Sequence, residues 1–218
     1  GGGIRASIGS VGESGEKLPP FASPVKPVGA ISKLDIENAL RFDNKLMVFD
    51  ATPQGLLNIL NHAARLAPGN GGYAQVGGVH FSYDPTKPVG QKVQDVAIYD
   101  EAGNLVAKVA DNGKLLAGAP ATISVVALSF TANGGDSYPI KFLNPPPSDP
   151  ANTIVNNETS NFRYILANGT LSAPVNRNLD FTRDITYASV GITAADLLGE
   201  QKALEDFLLA NHLSLIHI

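Results

Sequence analysis

The apolar period changes partway along the chain, and that change narrows the folds open to it. Before residue 74 two segments carry apolar positions at helical spacing, with one short strand-like run between them. In "SKLDIENALRF" (32–42), Leu34, Ile36, Ala39 and Leu40 supply one face of a short helix, and Ser32 with Asp35 three positions on has the form of a capping box. "KLMVFDA" (45–51) is a short apolar run bounded by polar residues, which predicts a buried strand. Thr52 then caps a second helix with Pro53 at its first position, where a missing N–H costs nothing. Leu56, Leu57, Ile59, Leu60, Ala63 and Ala64 give that helix a broad apolar face, and "APGNGGY" stops it. From residue 74 to about 128 the pattern is that of strands: "VHFSYD", "KVQDVAIYD", "LVAKVAD" and "TISVVAL" are rich in β-branched and aromatic residues, with "DEAGN" as a hairpin turn. "GEQKALEDFLLANH" (199–212) reads as a closing amphipathic helix, with Leu204, Phe207 and Leu208 at helical spacing. Helices, then a run of strands, then a helix predict an α+β domain, a mixed sheet with flanking helices, over residues 1–212.

Other segments are read by composition. Residues 9–30 are rich in Gly, Pro and Ser and read as loop, while the polar, Pro- and Asn-rich stretch 144–190 reads as a long surface excursion. "LSLIHI" (213–218) lacks a stop signal and resembles translated adapter read-through, so it is taken as a non-native tail and His217 receives no role. A chain beginning "GGGIR" reads as cut from something longer. The net charge of −4 offers no basic face for a nucleic acid, and the absence of cysteine excludes disulfides, thiolate catalysis and Cys-type zinc sites. No apolar run reaches the roughly 18 residues of a membrane span.

The search for catalytic chemistry returns little. His62, His80, His212 and His217 do not pair at HExxH spacing, and His62 and His80 read as structural or surface residues. There is no GxSxG elbow and no Walker-type loop. No catalytic residue and no metal ligand is expected within this chain. Asn157 and Asn168 head N-x-[S/T] sequons in the polar excursion.

What remains is a binding constellation. "GNGGYAQVGG" (69–78) sets Tyr73 behind Gly71 and Gly72, and "SFTANGGDSYP" (129–139) sets Phe130 before Asn133, Gly134, Gly135 and Asp136. Each aromatic stands beside a glycine turn with a strand nearby. On one reading these are turns with aromatic packing anchors. On the other, the two rings clamp a nucleobase, Asp136 accepts bonds from vicinal sugar hydroxyls and Arg5 pairs a phosphate. The residues alone leave both open.

"GGGIR" (1–5), "GGYAQVGGVHFSYDPTKPVGQKV" (71–93) and "SFTANGGDSYP" (129–139), with "AISKLDIENALRF" between the first two, resemble the signature blocks of one family in their order and spacing. It is the 5′-nucleotidase/UDP-sugar hydrolase family, specifically its C-terminal substrate-binding domain, over residues 1 to about 142; the last helix resembles the one that closes that domain. The resemblance implies a 5′-nucleotidase C-terminal-domain-like fold. It also implies substrate binding by an aromatic pair at Tyr73 and Phe130, ribose binding by Asp136 and phosphate contact by Arg5, with Gly71, Gly72, Asn133, Gly134 and Gly135 as supporting loop. Family members usually carry Phe where this chain has Tyr73, and an Asn before the three glycines, a position that here falls ahead of Gly1. Hydrolysis in the family belongs to a separate N-terminal metallophosphoesterase domain holding two divalent metal ions. The resemblance therefore implies the nucleotide-recognition part of a secreted or periplasmic bacterial phosphohydrolase, inactive by itself, with a nucleotide or nucleotide-sugar substrate and that missing domain as partners. A stand-alone nucleoside or nucleotide-sugar binding module is the alternative, and a structural segment of an outer-surface protein a third reading.

Overall fold

The computed structural model describes residues 4–14, 16–20, 26–66, 70–143, 154–175 and 187–212. A small ribbon, β1 (Ser10–Val11) with β2 (Lys17–Leu18), precedes α1 (Lys33–Ala39). Ser32 opens α1 as the spacing predicts: the Asp35 N–H donates to Ser32 Oγ at 3.3 Å, and the Ser32 N–H donates back to Asp35 Oδ2 at 2.8 Å. The chain then runs through β3 (Leu46–Ala51), α2 (Pro53–Ala63), β4 (Val79–Tyr83), β5 (Val93–Tyr99), β6 (Leu105–Asp111), β7 (Lys114–Leu115) and β8 (Ile123–Leu128). It ends through α3 (Ser129–Ala132), β9 (Thr159–Tyr164) and α4 (Glu200–Asn211).

The α+β reading holds, and the strands divide between two larger antiparallel sheets. One is ordered β4-β5-β6-β7 and the other β8-β3-β9. Helix α2 serves both. Thr52 caps it, its Oγ1 accepting the Gly55 N–H at 3.1 Å. Ile59 and Ala63 then join the core of the three-stranded sheet, while Leu56, Leu57, Leu60 and Ala64 join Val93, Val96, Val109 and Ala110 of the four-stranded one. A helix apolar on most of its circumference is one that is covered on most sides. The polar exception is Asn61, buried, whose Oδ1 accepts the Val93 N–H at 2.9 Å and so ties α2 to the start of β5.

The 144–190 stretch requires correction. Its residues 144–153 and 176–186 lie outside the described residues, but between them β9 pairs antiparallel with β3. Phe162 stacks on Phe49 with centroids 5.3 Å apart, and Asn156, Thr159, Tyr164 and Val175 are buried with it. The strand was hidden by a register shift opposite Val48–Asp50 that places Ser160 and Asn161 outward together, Asn161 in the left-handed region at φ 55°. A bulge of this kind interrupts strict alternation, and "TSNFRY" then reads as polar loop.

The last helix forms where expected, held by Glu200, whose Oε1 accepts from Asn44 N–H and Nδ2 at 2.9 and 3.1 Å. Leu208 is buried, but Phe207 is 56% exposed, so the expected apolar face is narrower than its spacing implied. The tail 213–218 lies outside the described residues.

Candidate functional site

The 129–139 segment starts at the end of β8, where backbone and side chain both pin Ser129. The Ser129 N–H donates to Lys45 O at 2.7 Å, and the Lys45 N–H donates to Ser129 Oγ at 3.2 Å. Phe130 follows in α3 and is 50% exposed. Asn133 closes the turn, its Nδ2 donating to Ser129 O at 2.8 Å. Gly134 sits at φ 95°, which a side chain disfavours. Gly135 answers to a different demand: a Cβ there would lie 2.5 Å from Phe130 Cδ1 and Cε1. Only glycine lets the Phe130 ring rest against this backbone.

Asp136 and Ser137 come next, both left-handed at φ 51° and 62°. Consecutive non-glycine residues in that region are uncommon and need support from their surroundings. It comes from the last turn of α2 and the turn after it. Arg65 Nη2 donates to Asp136 O at 2.8 Å, and His62 Nε2 lies 2.9 Å from the same carbonyl. A carbonyl only accepts, so His62 carries its proton on Nε2. Arg65 Nε lies against the same ring, 3.4 Å from Nδ1, the nitrogen then left to accept, and 3.2 Å from Nε2. Burial holds the His62 imidazole below its usual pKa with Arg65 acting in the same direction, against the Asp136 carbonyl bond and carboxylate. The Asp136 carboxylate itself is exposed and takes no hydrogen bond from the described residues.

The Tyr73 loop adjoins this turn. Its own shape is set at Asn70, whose Oδ1 accepts the Gly72 N–H and whose carbonyl accepts the Tyr73 N–H, both at 3.0 Å. Tyr138 Oη then donates to Gly72 O at 2.8 Å, bonding one loop to the other. A Cβ on Gly72 would lie 3.9 Å from Asp136 Cβ, which shows how closely the loops pass. Tyr138 is buried against His62, with ring centroids 4.7 Å apart. Burial pushes its hydroxyl pKa up to about 12, helped by the Asp136 charge and opposed by Arg65, so it stays a donor at neutral pH. Tyr73 is half-buried, and Gly71 is exposed beside it.

Tyr73's loop, Phe130 and Asp136 are thus assembled in one place. Arg5 stands elsewhere in the contact network: its N–H donates to Ala39 O at 2.8 Å, and its guanidinium lies 5.4 Å over the Phe42 ring. It lines a cleft of about 610 Å³ with Ile8, Leu18, Leu40 and Leu204. A second cleft, of about 730 Å³, lies on the four-stranded sheet around His80 and Tyr99, whose rings are 4.3 Å apart.

Sequence reasoning passed over three residues here. His62 lies in the last turn of α2 and Arg65 just past its end, three positions apart, but nothing local says that this end of the helix meets Asp136. Tyr138 lay in plain view within "SFTANGGDSYP", and its distant partner, Gly72, hid its role.

Among the described residues, no group of three or more His, Asp or Glu is placed to hold a metal ion. No helix among them is long and apolar enough to cross a membrane.

Comparisons with known proteins bear on the same segments. The sequence profile described as 5′-nucleotidase, C-terminal domain, matches residues 2–141. Solved structures similar to the chain include the 5′-nucleotidase precursor from Thermus thermophilus, at 29% identity and TM-score 0.45, covering 64% of this chain and 22% of that one. The NAD nucleotidase from Haemophilus influenzae is similar at 17% identity and TM-score 0.36, covering 52% of this chain and 19% of that one. The chain therefore spans about a fifth of the length of these structures. No curated protein sequence matches it. The profile runs through both loops of the site and through the helix that braces them, and the chain belongs to the family of 5′-nucleotidase C-terminal domains.

Proposed function

We propose that this domain is the nucleotide-recognition part of a 5′-nucleotidase-like phosphohydrolase, holding the base between Tyr73 and Phe130. The observation that carries the reading is Phe130: a half-exposed ring laid on Gly135, next to an exposed carboxylate on the same turn. A ring backed by glycine and open to solvent is a stacking surface, and stacking contributes about 1–3 kcal/mol per base. The Asp136 carboxylate accepts the ribose hydroxyls, since a charged acceptor strengthens each such bond. Arg5, on its own cleft, takes the phosphate.

The same reading places hydrolysis outside this chain, in an N-terminal metallophosphoesterase domain of a periplasmic or extracellular enzyme. Two divalent metal ions bound there would supply water activation and phosphate polarisation. The residues of this chain bind and orient. They hold the base and sugar fixed while the phosphate is presented outward, which is a contribution of positioning rather than of bond making.

Titration of the chain with adenosine and with AMP tests the reading. Saturable binding is expected, weakened about tenfold or more by Phe130→Ala or Tyr73→Ala in a sample whose circular dichroism is unchanged. Arg5→Ala is expected to weaken AMP and leave adenosine alone. Absence of saturable binding at millimolar ligand, both in this chain and in one extended to include the upstream domain, would overturn the proposal.

A further inference from the structure

We infer that Arg65 and His62 are positioning residues that fix the Asp136 carboxylate toward the sugar and so set this site's preference for a ribose bearing both hydroxyls. The inference rests on the proposed function and goes on to name the residues that make the site sugar-selective.

The argument starts from what the two side chains grip. Both reach the Asp136 main-chain carbonyl, Arg65 Nη2 at 2.8 Å and His62 Nε2 at 2.9 Å, and together they occupy its two lone pairs. Neither takes the carboxylate. Had the guanidinium paired with the side chain instead, the acceptor oxygens would be spent within the protein. Gripping the carbonyl holds the residue and leaves its carboxylate open to a ligand.

That grip also decides where the carboxylate points. Asp136 and Ser137 occupy the left-handed region, at φ 51° and 62°. The direction of the Asp136 Cα–Cβ bond follows from those angles, and relaxation to a common negative φ would swing it away. Asp tolerates this region better than most residues but does not prefer it. The conformation therefore depends on bonds from outside the turn. Those bonds come from His62, in the last turn of α2, and from Arg65, two residues past its end, whose N–H donates to His62 O at 3.2 Å. Helix α2 itself is packed between both cores, with Ile59 and Ala63 in one and Leu56, Leu57 and Leu60 in the other. A helix so held makes a rigid mount. His62 is itself kept in place by the Tyr138 ring at 4.7 Å, and Tyr138 by its bond to Gly72.

The readout is the ratio of affinities for adenosine and 2′,3′-dideoxyadenosine, measured by calorimetry on the same chain. Charge-assisted bonds to hydroxyls make this ratio about tenfold or greater in the wild type. Asp136→Ala is expected to bring it close to one. Arg65→Ala is expected to reduce the ratio about fivefold while leaving dideoxyadenosine within about twofold, because stacking does not pass through Asp136. Arg65→Lys, which keeps a cationic donor, should recover part of the ratio. Adding Arg65→Ala to Asp136→Ala should change nothing further, since both act on one bond set. His62→Ala is read in the same way, and serves if Arg65→Ala does not fold. A ratio that survives Arg65→Ala and His62→Ala but collapses in Asp136→Ala overturns the inference and leaves the proposed function standing. Equal loss of both ligands in Arg65→Ala also overturns it, as a general structural role. A wild-type ratio near one overturns the ribose-reading role of Asp136, and this inference with it.

Discussion

The two larger sheets of this domain are built by opposite routes. In the four-stranded sheet, β4, β5, β6 and β7 pair in chain order through local connections, and the 100–104 turn closes with the Gly103 N–H on Asp100 O at 3.0 Å. In the three-stranded sheet, the central β3 pairs with β8 and β9, strands that follow it only after long intervals of chain. Local pairing shows in local sequence, whereas distant pairing closes long loops and leaves no local mark. The candidate site hangs from the second sheet: Phe130 follows β8 directly, and Asp136 is braced by the helix that follows β3 and the turn that ends it. The region harder to read is the one that carries the candidate site.

The most damaging test of that contrast is Phe162→Ala. It empties the space against Phe49 at the centre of the three-stranded core, and a loss of about 3–5 kcal/mol is expected in urea unfolding. A loss below about 1 kcal/mol would deny β9 its central place.

Gly55→Ala probes the same insertion from the side of α2. Glu158 O accepts the Thr52 N–H at 2.9 Å, and a Cβ at Gly55 would lie 2.5 Å from that oxygen. Alanine normally favours a helix, yet here a loss of about 1–3 kcal/mol is expected, because a backbone atom cannot step aside. Increased stability would show that the 156–159 segment does not rest on the helix.

Tyr138→Phe removes one bond between the two loops and keeps the ring. A loss of about 0.5–1.5 kcal/mol is expected, together with weaker base binding as the Tyr73 loop loosens. Unchanged affinity would mean that the Tyr73 loop holds its position without Tyr138.

The smallest effect is that of pH on His62. Its pKa is lowered in the folded chain, first by burial, from an ordinary value of 6.5. The unfolded chain then binds the proton more readily, so stability is complete above 6.5 and falls as pH drops from there through the lowered folded value. His62→Gln should flatten that part of the stability curve. An unchanged slope would assign it to other groups.

How much was legible follows from where each signal resides. The Ser32 capping box, the Thr52-Pro53 start of α2 and the hairpin at 100–104 are contained within a few residues, and each formed as read. The aromatic, glycine and carboxylate of the 129–139 segment were also visible, and the structure adds why the glycine matters: Gly135 makes room for Phe130. His62 was read as a structural or surface residue. It does hold structure, but of the turn that carries Asp136, and that fact depends on two segments more than seventy residues apart. Phe207 shows the opposite failure, an apolar residue at helical spacing that the fold leaves at the surface.

The sequence by itself determined the helices, the hairpin strands, the glycine turns and the family to which they belong, because caps, periodicity and turn chemistry act between neighbours. The tertiary structure alone decided that β9 lies beside β3, that α2 faces two cores, and that Arg65 and His62 meet the carbonyl of Asp136. Those are contacts between distant segments. Their energies appear only once the intervening chain has been ordered, and short-range pattern carries no record of them.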